Sequence, residues 1–425
     1  MIKPCLHRLL GLNEGELPRA LPFFAVYFLF FTALTIADGV AVSLFASRIG
    51  AHRLPIWYSA TAVLSLVIIG MYLTQATRHS GDRVFGWIIG TMAMLFITAW
   101  TAYQTHGGTI PLGMLFVTRE IALTMVLMHF GTFLQDYFLR SELNRLLPVI
   151  YAGGRLGGII GGGMLGWIAQ RIGTIHLIPI VVLLLAIAWA GIIKIARSVP
   201  LQSEDEDTLE NITGTEPKTR SRREAISQFL SQVHRCSLLG WLTTTTLLFI
   251  VCRWFLAYQY TASFEVQFDN DIDLAIFLGR YTQFALCISL LLQLFVVNRM
   301  VGRLGVSTTH TIYSVLVMGG LAGNLLVTGL PIAVASRFLE SELRFGLRNP
   351  VNQMMVNRFS KKMRIIVRGW SLGWLIPIGT LVASAMIAGL AQIGSVAIAA
   401  VGLLVGIALV VSAIGVGKAY DAYKP

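Results

Sequence analysis

A chain of 425 residues in which 55% are hydrophobic and 13% are charged, with a mean hydropathy of +0.71, is too apolar for a water-soluble protein of this size. The net charge of +12 would suit a nucleic-acid partner, but the basic residues concentrate in the connections between long apolar stretches, as they do in membrane proteins. We therefore expect a multi-pass protein whose partner is the lipid bilayer, with no nucleic acid bound.

Twelve apolar stretches are long enough to cross about 30 Å of hydrocarbon as helices, which takes about 20 residues each. The shortest and most charged of them is the tenth, and none shows the alternation of a membrane β-strand. The fold class expected is thus an all-α membrane protein with twelve transmembrane helices. The predicted spans are 21–46, 55–76, 85–104, 110–138, 147–170, 174–194, 237–263, 273–297, 304–328, 330–347, 366–391 and 395–417.

The basic residues of the connections predict the orientation. Nearly all of them lie in the connections on the side of the N-terminus, and Arg348, just after the tenth span, is counted with these. The other side holds Arg48, Arg53 and Arg171. Because Lys and Arg accumulate in cytoplasmic loops, both termini are expected in the cytoplasm, in a bacterial-type cytoplasmic (inner) membrane.

A polar connector divides the chain into two similar halves. It covers residues 198–235, which are rich in charge, and separates an N-terminal six-helix bundle (1–197) from a C-terminal one (236–425). Three landmarks recur in the same order with offsets of 216, 218 and 216 residues: Asp82-Arg83 with Asn298-Arg299, Arg119 with Arg337, and Arg155 to Gly158 with Ser371 to Trp374. Two six-helix repeats predict a transporter whose substrate site lies near the bilayer midplane, between the halves.

Six arginines fall within predicted spans, and they are the most informative residues of the chain. A charge at the bilayer centre costs roughly 2.5–3.5 kcal/mol, so these side chains are expected to point into the helix bundle. They are Arg119, Arg155, Arg253, Arg280, Arg337 and Arg344, and the acids available to pair with them are Asp38, Glu120, Glu265, Glu340 and Glu342.

The spacing of these charges suggests particular pairings. Arg119 and Glu120 are adjacent, so their side chains diverge by about 100° on a helix and are not expected to pair with each other. Glu340 shares a helix face with Arg337 and Arg344. Asp38 and Arg253 occupy equivalent depths in the first spans of the two halves and make one plausible pair.

The functional interpretation of these residues is a cavity with more guanidinium than carboxylate, suited to an anionic solute. The alternative is that they form buried ion pairs that fix helix registry, or snorkel to the cytoplasmic face. The substrate-binding candidates are Asp38, Arg119, Glu120, Arg253, Arg337, Glu340 and Tyr258, although either Tyr258 or Tyr260 is expected only to pack. Asp38, Glu120 and His129 are proton-coupling candidates, with packing as the alternative for the histidine.

A glycine stripe marks the fifth span. Gly154, Gly158, Gly162 and Gly166 recur every four residues, so that a neighbouring helix can approach backbone to backbone. The segment has no Gly-Lys-Ser/Thr ending and follows no strand, so a phosphate-binding loop is excluded.

Gly81-Asp82-Arg83, between the second and third spans, together with the long loop after the sixth, resembles the major facilitator superfamily. Residues 142–162, 290–306 and 344–355 look like the nucleotide (ATP/ADP) translocase branch and its bacterial relatives, although residues 35–42 contain Asp38 and no basic residue. The resemblance implies that charged residues at these loops form contacts that hold the outward-open state. The alternative is that their charge only reflects the usual excess of Lys and Arg in cytoplasmic loops. The gating candidates are Asp82, Arg83, Arg155, Arg299 and Arg303.

The sequence shows no catalytic motif, no cofactor motif and no paired cysteine or histidine spacing of a metal site, so we expect no enzyme, no cofactor and no metal. The expected function is transport of a small anionic or phosphorylated solute by alternating access, by a protein expected to be monomeric. A nucleotide antiporter is the narrower alternative. A facilitator-fold protein that has lost transport and serves as a membrane sensor or scaffold is the alternative of another class.

Overall fold

The computed structural model describes residues 16–76, 78–200, 236–359, 363–364, 367 and 370–423, and all the regular elements in these ranges are helical. The polar connector of residues 198–235 lies almost wholly outside them. The α-helices are α1 (Glu16–Arg48), α2 (Leu54–Ala76), α3 (Gly81–His106), α4 (Thr109–Gln135), α5 (Arg140–Ile172), α6 (Leu177–Ser198), α7 (Ser237–Gln267), α8 (Asp271–Leu291), α9 (Asn298–Leu326), α10 (Leu330–Glu340), α11 (Asn349–Val356), α12 (Ile376–Ala391) and α13 (Ser395–Ala422). Short 3-10 turns, Ala51–Arg53 and Thr174–His176, precede α2 and α6.

Nine helical stretches of the described chain are long and apolar enough to cross a membrane. They comprise α1, α2, α3, α4, α6, α7, α8, α12 and α13, in some cases with an adjoining turn. The predicted all-helical, multi-pass membrane fold is therefore confirmed. The count of twelve spans in two repeats stays a prediction, because α5 and α9 are less apolar and α10 has only 11 residues.

The tenth predicted span is not one regular helix. α10 ends at Glu340, a π-helical turn follows at Arg344–Arg348, and α11 continues to Val356. Pro350 explains the wide turn, because a proline ring collides with the carbonyl four residues earlier in a regular α-helix and has no N–H to donate. The π-helical turn Ser371–Leu375 precedes Pro377 in the same way, and a third lies at Leu292–Val297.

The described residues group into two compact units, and each draws on both halves of the sequence. The first contains Met1–Ile49, Met71–Glu216 and Asn270–Leu286, and the second contains Gly50–Gly70, Pro217–Asp269 and Cys287–Pro425. The first part of α2 therefore belongs to the second unit, and the first part of α8 belongs to the first. The domain boundaries predicted from the sequence, which cut the chain at the linker, stay a prediction.

The first unit is built on close contact between α1 and the glycines of α5. A Cβ atom added at Gly157 would lie 2.2 Å from the carbonyl oxygen of Phe28, and one at Gly153 would lie 2.5 Å from that of Phe24. The two backbones touch because glycine has no side chain to separate them. The hydroxyl of Thr32 then donates a hydrogen bond across this contact to the carbonyl oxygen of Gly157 at 3.1 Å.

The opposite face of α5 contacts the first part of α8, within the same unit. A Cβ at Gly162 would lie 2.8 Å from the carbonyl oxygen of Gly279, and one at Gly166 would lie 3.1 Å from Cα of Ile276. The glycines of α5 thus form two rows, one against α1 and the other against α8.

In the second unit, polar side chains tie α7 to its neighbours. The indole N–H of Trp254 donates to the hydroxyl of Thr380 at 2.8 Å, and the hydroxyl of Thr245 donates to Ser412 at 3.0 Å. Both bonds are buried, and a buried polar group that lost its partner would carry a desolvation cost of about 1–3 kcal/mol. These contacts hold α7, which carries Arg253, in one rotational setting.

Candidate functional site

The first unit holds one arginine between two acids. Arg119 of α4 is 9% exposed, and its guanidinium forms an ion pair with Asp38 of α1. One of its terminal nitrogens also lies 3.6 Å from the Glu120 carboxylate, and the guanidinium stacks over the ring of Phe116 at 4.2 Å. Asp38 is 36% exposed, so this pair has one open side.

Arg119 and Glu120, which were not expected to pair neatly, do come within ion-pair distance, although the closer partner of Arg119 is Asp38 on another helix. Their Cα–Cβ bonds diverge on the helix, but the long arginine side chain bends back far enough for the two charges to meet at 3.6 Å. The suggested pair of Asp38 with Arg253 stays a prediction, and each has an ion-pair partner in its own unit.

The second unit holds a larger cluster of charges, which we call the arginine cluster: Arg253, Glu340, Arg344 and Arg348. The Nε of Arg253 donates to the Glu340 carboxylate at 2.5 Å, and a terminal nitrogen of Arg344 lies 3.8 Å from the same oxygen. Glu340 and Arg344 are four residues apart, as the shared helix face predicted. All four side chains are largely buried. The two cations Arg253 and Arg344 share the Glu340 carboxylate.

Aromatic rings support the arginines of both units. In the second unit Arg253 stacks over Trp254 at 4.6 Å, Arg344 over Phe345 at 4.5 Å, and Arg348 over Phe249 at 3.6 Å. A ring stabilises a cation through its electron-rich face without neutralising the charge. The N–H groups at the guanidinium edge therefore keep their capacity to bind an anion.

Arg337, the predicted counterpart of Arg119, is buried at 5% exposure in α10. Its guanidinium lies over the ring of Tyr260 at 5.4 Å. Tyr260 is buried and Tyr258 is half-buried, so the tyrosine found against an arginine is Tyr260 and not the candidate Tyr258.

Arg348 was missed by the sequence analysis, and its assignment to an inner connection is wrong. It is 7% exposed, because the π-helical turn and α11 prolong the tenth helical segment beyond the predicted end at residue 347. Pro350 is the sequence feature that could have placed Arg348 inside the helical segment. An arginine shortly before a proline in a helical run lies where the helix widens.

His129 uses both ring nitrogens. Its Nε2 lies 2.7 Å from the carbonyl oxygen of Gly81, and its Nδ1 lies 3.2 Å from the hydroxyl of Tyr72. The ring is 2% exposed and packs edge-on against Phe85. This arrangement favours the packing alternative over a proton carrier.

Four of the five gating candidates lie near the starts of α3 and α9, and the fifth, Arg155, lies in the middle of α5. Asp82 is in the first turn of α3, and a Cβ at Gly81 would lie 2.6 Å from a carboxylate oxygen of Asp136, so glycine permits the close approach of α3 and the end of α4. Arg83, Arg299 and Arg303 are exposed and Arg155 is half-buried. Their gating role stays a prediction.

Arg280 and the expectation about metal sites remain to be described. Arg280 of α8 is exposed, in contrast to the other span arginines. In the part of the chain that the structure describes, no group of three or more His, Cys, Asp or Glu side chains could hold a metal ion.

No family model matches the chain, and no curated protein matches it in sequence. Its fold does match solved structures. The nucleoside transporter NupG has a TM-score of 0.64 at 12% identity, over 96% of this chain and 100% of that one. An auto-inhibited POT family peptide transporter has a TM-score of 0.61 at 11% identity, over 96% and 97%.

A third match is a bacterial homologue of the human lysosomal transporter Spinster, in an inward-facing and unoccupied conformation, with a TM-score of 0.55 at 13% identity over 97% of this chain and 100% of that one. The chain thus shares the overall fold of these solved transporters. The matches support the transporter-like fold that the resemblance implies, whereas its twelve-helix, two-repeat form and the nucleotide translocase branch stay predictions.

Proposed function

We propose that this protein is a secondary transporter that moves a small anionic or phosphorylated solute by alternating access. The observation that carries the proposal is the arginine cluster. Arg253 and Arg344 share the Glu340 carboxylate, and the buried Arg348 has no carboxylate partner among the described residues. Burying an excess of positive charge costs free energy unless an anion pairs with it.

The ion-pair sites of the two units differ in net charge, and we assign them different roles on this basis. In the first, Arg119 lies between two acids, Asp38 and Glu120, so this site has no positive charge to spare. The solute's negative group is therefore assigned to the second unit. Asp38, as the more exposed carboxylate, is the candidate for taking up a proton, and coupling to protons remains open alongside exchange.

A nucleotide antiporter is the narrower form of this proposal. It is supported by the resemblance of residues 142–162, 290–306 and 344–355 to the translocase branch. Guanidinium groups bind phosphate in a bidentate manner, and aromatic rings beside them suit a nucleobase. The sensor or scaffold alternative predicts no flux of any solute. Its support is that residues 35–42 of the first span contain no Lys or Arg, where the translocases that the chain resembles carry a basic cluster near an aspartate.

The test is uptake into liposomes by a pair of matched variants. Arg253→Gln removes the guanidinium and leaves Glu340 with Arg344 alone, whereas Arg253→Gln combined with Glu340→Gln removes both charges of the 2.5 Å pair. If Arg253 binds the solute, both variants lose at least tenfold in uptake. Arg171→Gln is the control, because Arg171 also stacks on an aromatic ring, Trp167 at 3.8 Å, but is exposed.

Recovery of uptake in the double variant would show that Arg253 only balances Glu340, and the proposed role in binding would be wrong. Thermal unfolding of each purified variant separates loss of binding from loss of fold.

A further inference from the structure

Arg348 is a buried cation without an acid of its own. It closes the π-helical turn, is 7% exposed, and lies 3.6 Å from the ring centroid of Phe249. Among the described residues no carboxylate forms an ion pair with it, since Glu340 is shared by Arg253 and Arg344. Arg344 acts on it as a second positive charge.

The edge of this guanidinium has an unused donor. One terminal nitrogen of Arg348 is buried and has no hydrogen-bond partner within the described ranges. Burying a charged N–H donor without a partner costs more free energy than burying a neutral donor, because the charged group loses stronger interactions with water. Phe249 stabilises the face of the guanidinium and leaves the edge unsatisfied.

His310 of α9 is also buried with unsatisfied polar atoms, as Arg348 is. Its ring is 2% exposed, and neither ring nitrogen has a hydrogen-bond partner among the residues described. The ring of Phe249, over which Arg348 lies, also packs against Tyr313 at a centroid distance of 5.8 Å. His310 precedes Tyr313 by one turn on α9, so its ring lies on the helix face that is turned towards this group. The hydroxyl of Tyr313 is already used, donating to the carbonyl oxygen of Leu339 at 3.1 Å.

We propose that Arg348 and His310 bind a small inorganic anion of the size of chloride, at a site separate from the Arg253–Glu340 pair. The guanidinium edge supplies a charged N–H donor, and a neutral imidazole supplies one N–H. A monatomic anion accepts from both donors and compensates the charge of Arg348, with which no described carboxylate pairs. The small size follows from the burial of both side chains, which leaves little room for a larger solute.

Chloride is the probe. The purified full-length protein in detergent is unfolded thermally while sodium gluconate is replaced by sodium chloride at constant ionic strength. Binding to the folded state alone stabilises it, so the midpoint rises with the logarithm of the chloride concentration above the dissociation constant. The rise is roughly 1 °C for a gain of about 1 kcal/mol in a chain of this length. In Arg348→Met the midpoint no longer responds to chloride, and in His310→Phe at least tenfold more chloride is needed.

Arg171→Met is the matched control, since it removes an arginine stacked at 3.8 Å on an exposed ring, and it keeps the full response. A second measurement needs no variant: the ³⁵Cl resonance broadens in the presence of the wild-type protein, and bromide reverses the broadening.

Absence of both the midpoint shift and the broadening in the wild-type protein would mean that water satisfies these donors, and the proposal would be overturned. A response that persists unchanged in both variants would overturn it as well. Solute uptake does not enter either readout, so a failure of the transport proposal and a failure of this one are distinguishable.

Discussion

At the scale of single residues, buried arginines in this chain are stabilised in two separate ways. Carboxylates pair with Arg119 and, by sharing Glu340, with Arg253 and Arg344. Aromatic rings contact these arginines and also Arg348. Only the second kind of contact leaves the positive charge available. The sequence predicts that arginines in apolar spans point inward, but it does not predict which of the two contacts each makes, since the partners come from other helices.

A substitution of His129 distinguishes a packed residue from a proton carrier. His129→Leu removes the hydrogen bonds to Gly81 and Tyr72, so we expect a loss of about 1–3 kcal/mol in the free energy of unfolding. The pH profile of uptake by the remaining folded protein should be unchanged. His106→Leu, at the exposed end of α3, is the control and should alter neither property.

Thermal unfolding and uptake between pH 5 and pH 8, the range in which histidine titrates, measure both effects. Loss of the pH dependence of uptake, with the fold intact, would make His129 a proton carrier after all.

At the scale of elements, glycines and prolines decide how the helices pack and where they widen. The sequence alone predicts the glycine stripe of α5 from its four-residue spacing. It does not reveal that the stripe has two sides, one against α1 and the other against α8, because a repeat of one residue type carries no information on the number of neighbours. The π-helical turn before Pro350 was missed because hydropathy treats this segment as a simple run of apolar and charged residues.

Gly157 should be the most sensitive position of the α5 contact. Gly157→Ala places a Cβ 2.2 Å from the carbonyl oxygen of Phe28, and because this atom belongs to the backbone of α1, the helices must separate. We expect the protein to lose about 1–3 kcal/mol of stability. Gly90→Ala, in α3, is the control: nothing lies within 4 Å of the added Cβ, and alanine favours a helix by up to about 1 kcal/mol.

The measurement is the thermal midpoint of each purified variant in the same detergent. Equal midpoints for Gly157→Ala and Gly90→Ala would contradict close backbone packing of α1 and α5.

At the scale of the whole molecule, the fold is that of transporters, and the charges suggest what is transported. The solved transporters matched here are described as carrying nucleosides or peptides, or as relatives of a lysosomal transporter, at 11–13% identity, so they establish the fold and leave the solute open. The sequence predicted an all-helical multi-pass protein from apolar stretches of sufficient length. It could not predict that each unit draws on both halves of the sequence, since contacts between helices far apart in the chain depend on packing and not on hydropathy.

The central claim, that the excess of buried arginine in the second unit selects an anion, is tested most directly by uptake of paired labelled solutes into liposomes containing the wild-type protein. The panel pairs a nucleoside with its nucleotide, a sugar with its phosphate ester, and an amide with its carboxylate. The account predicts flux of at least one anionic member, with its neutral counterpart at least tenfold slower. Equal or faster flux of the neutral members, or no flux of any solute by folded protein, would contradict it.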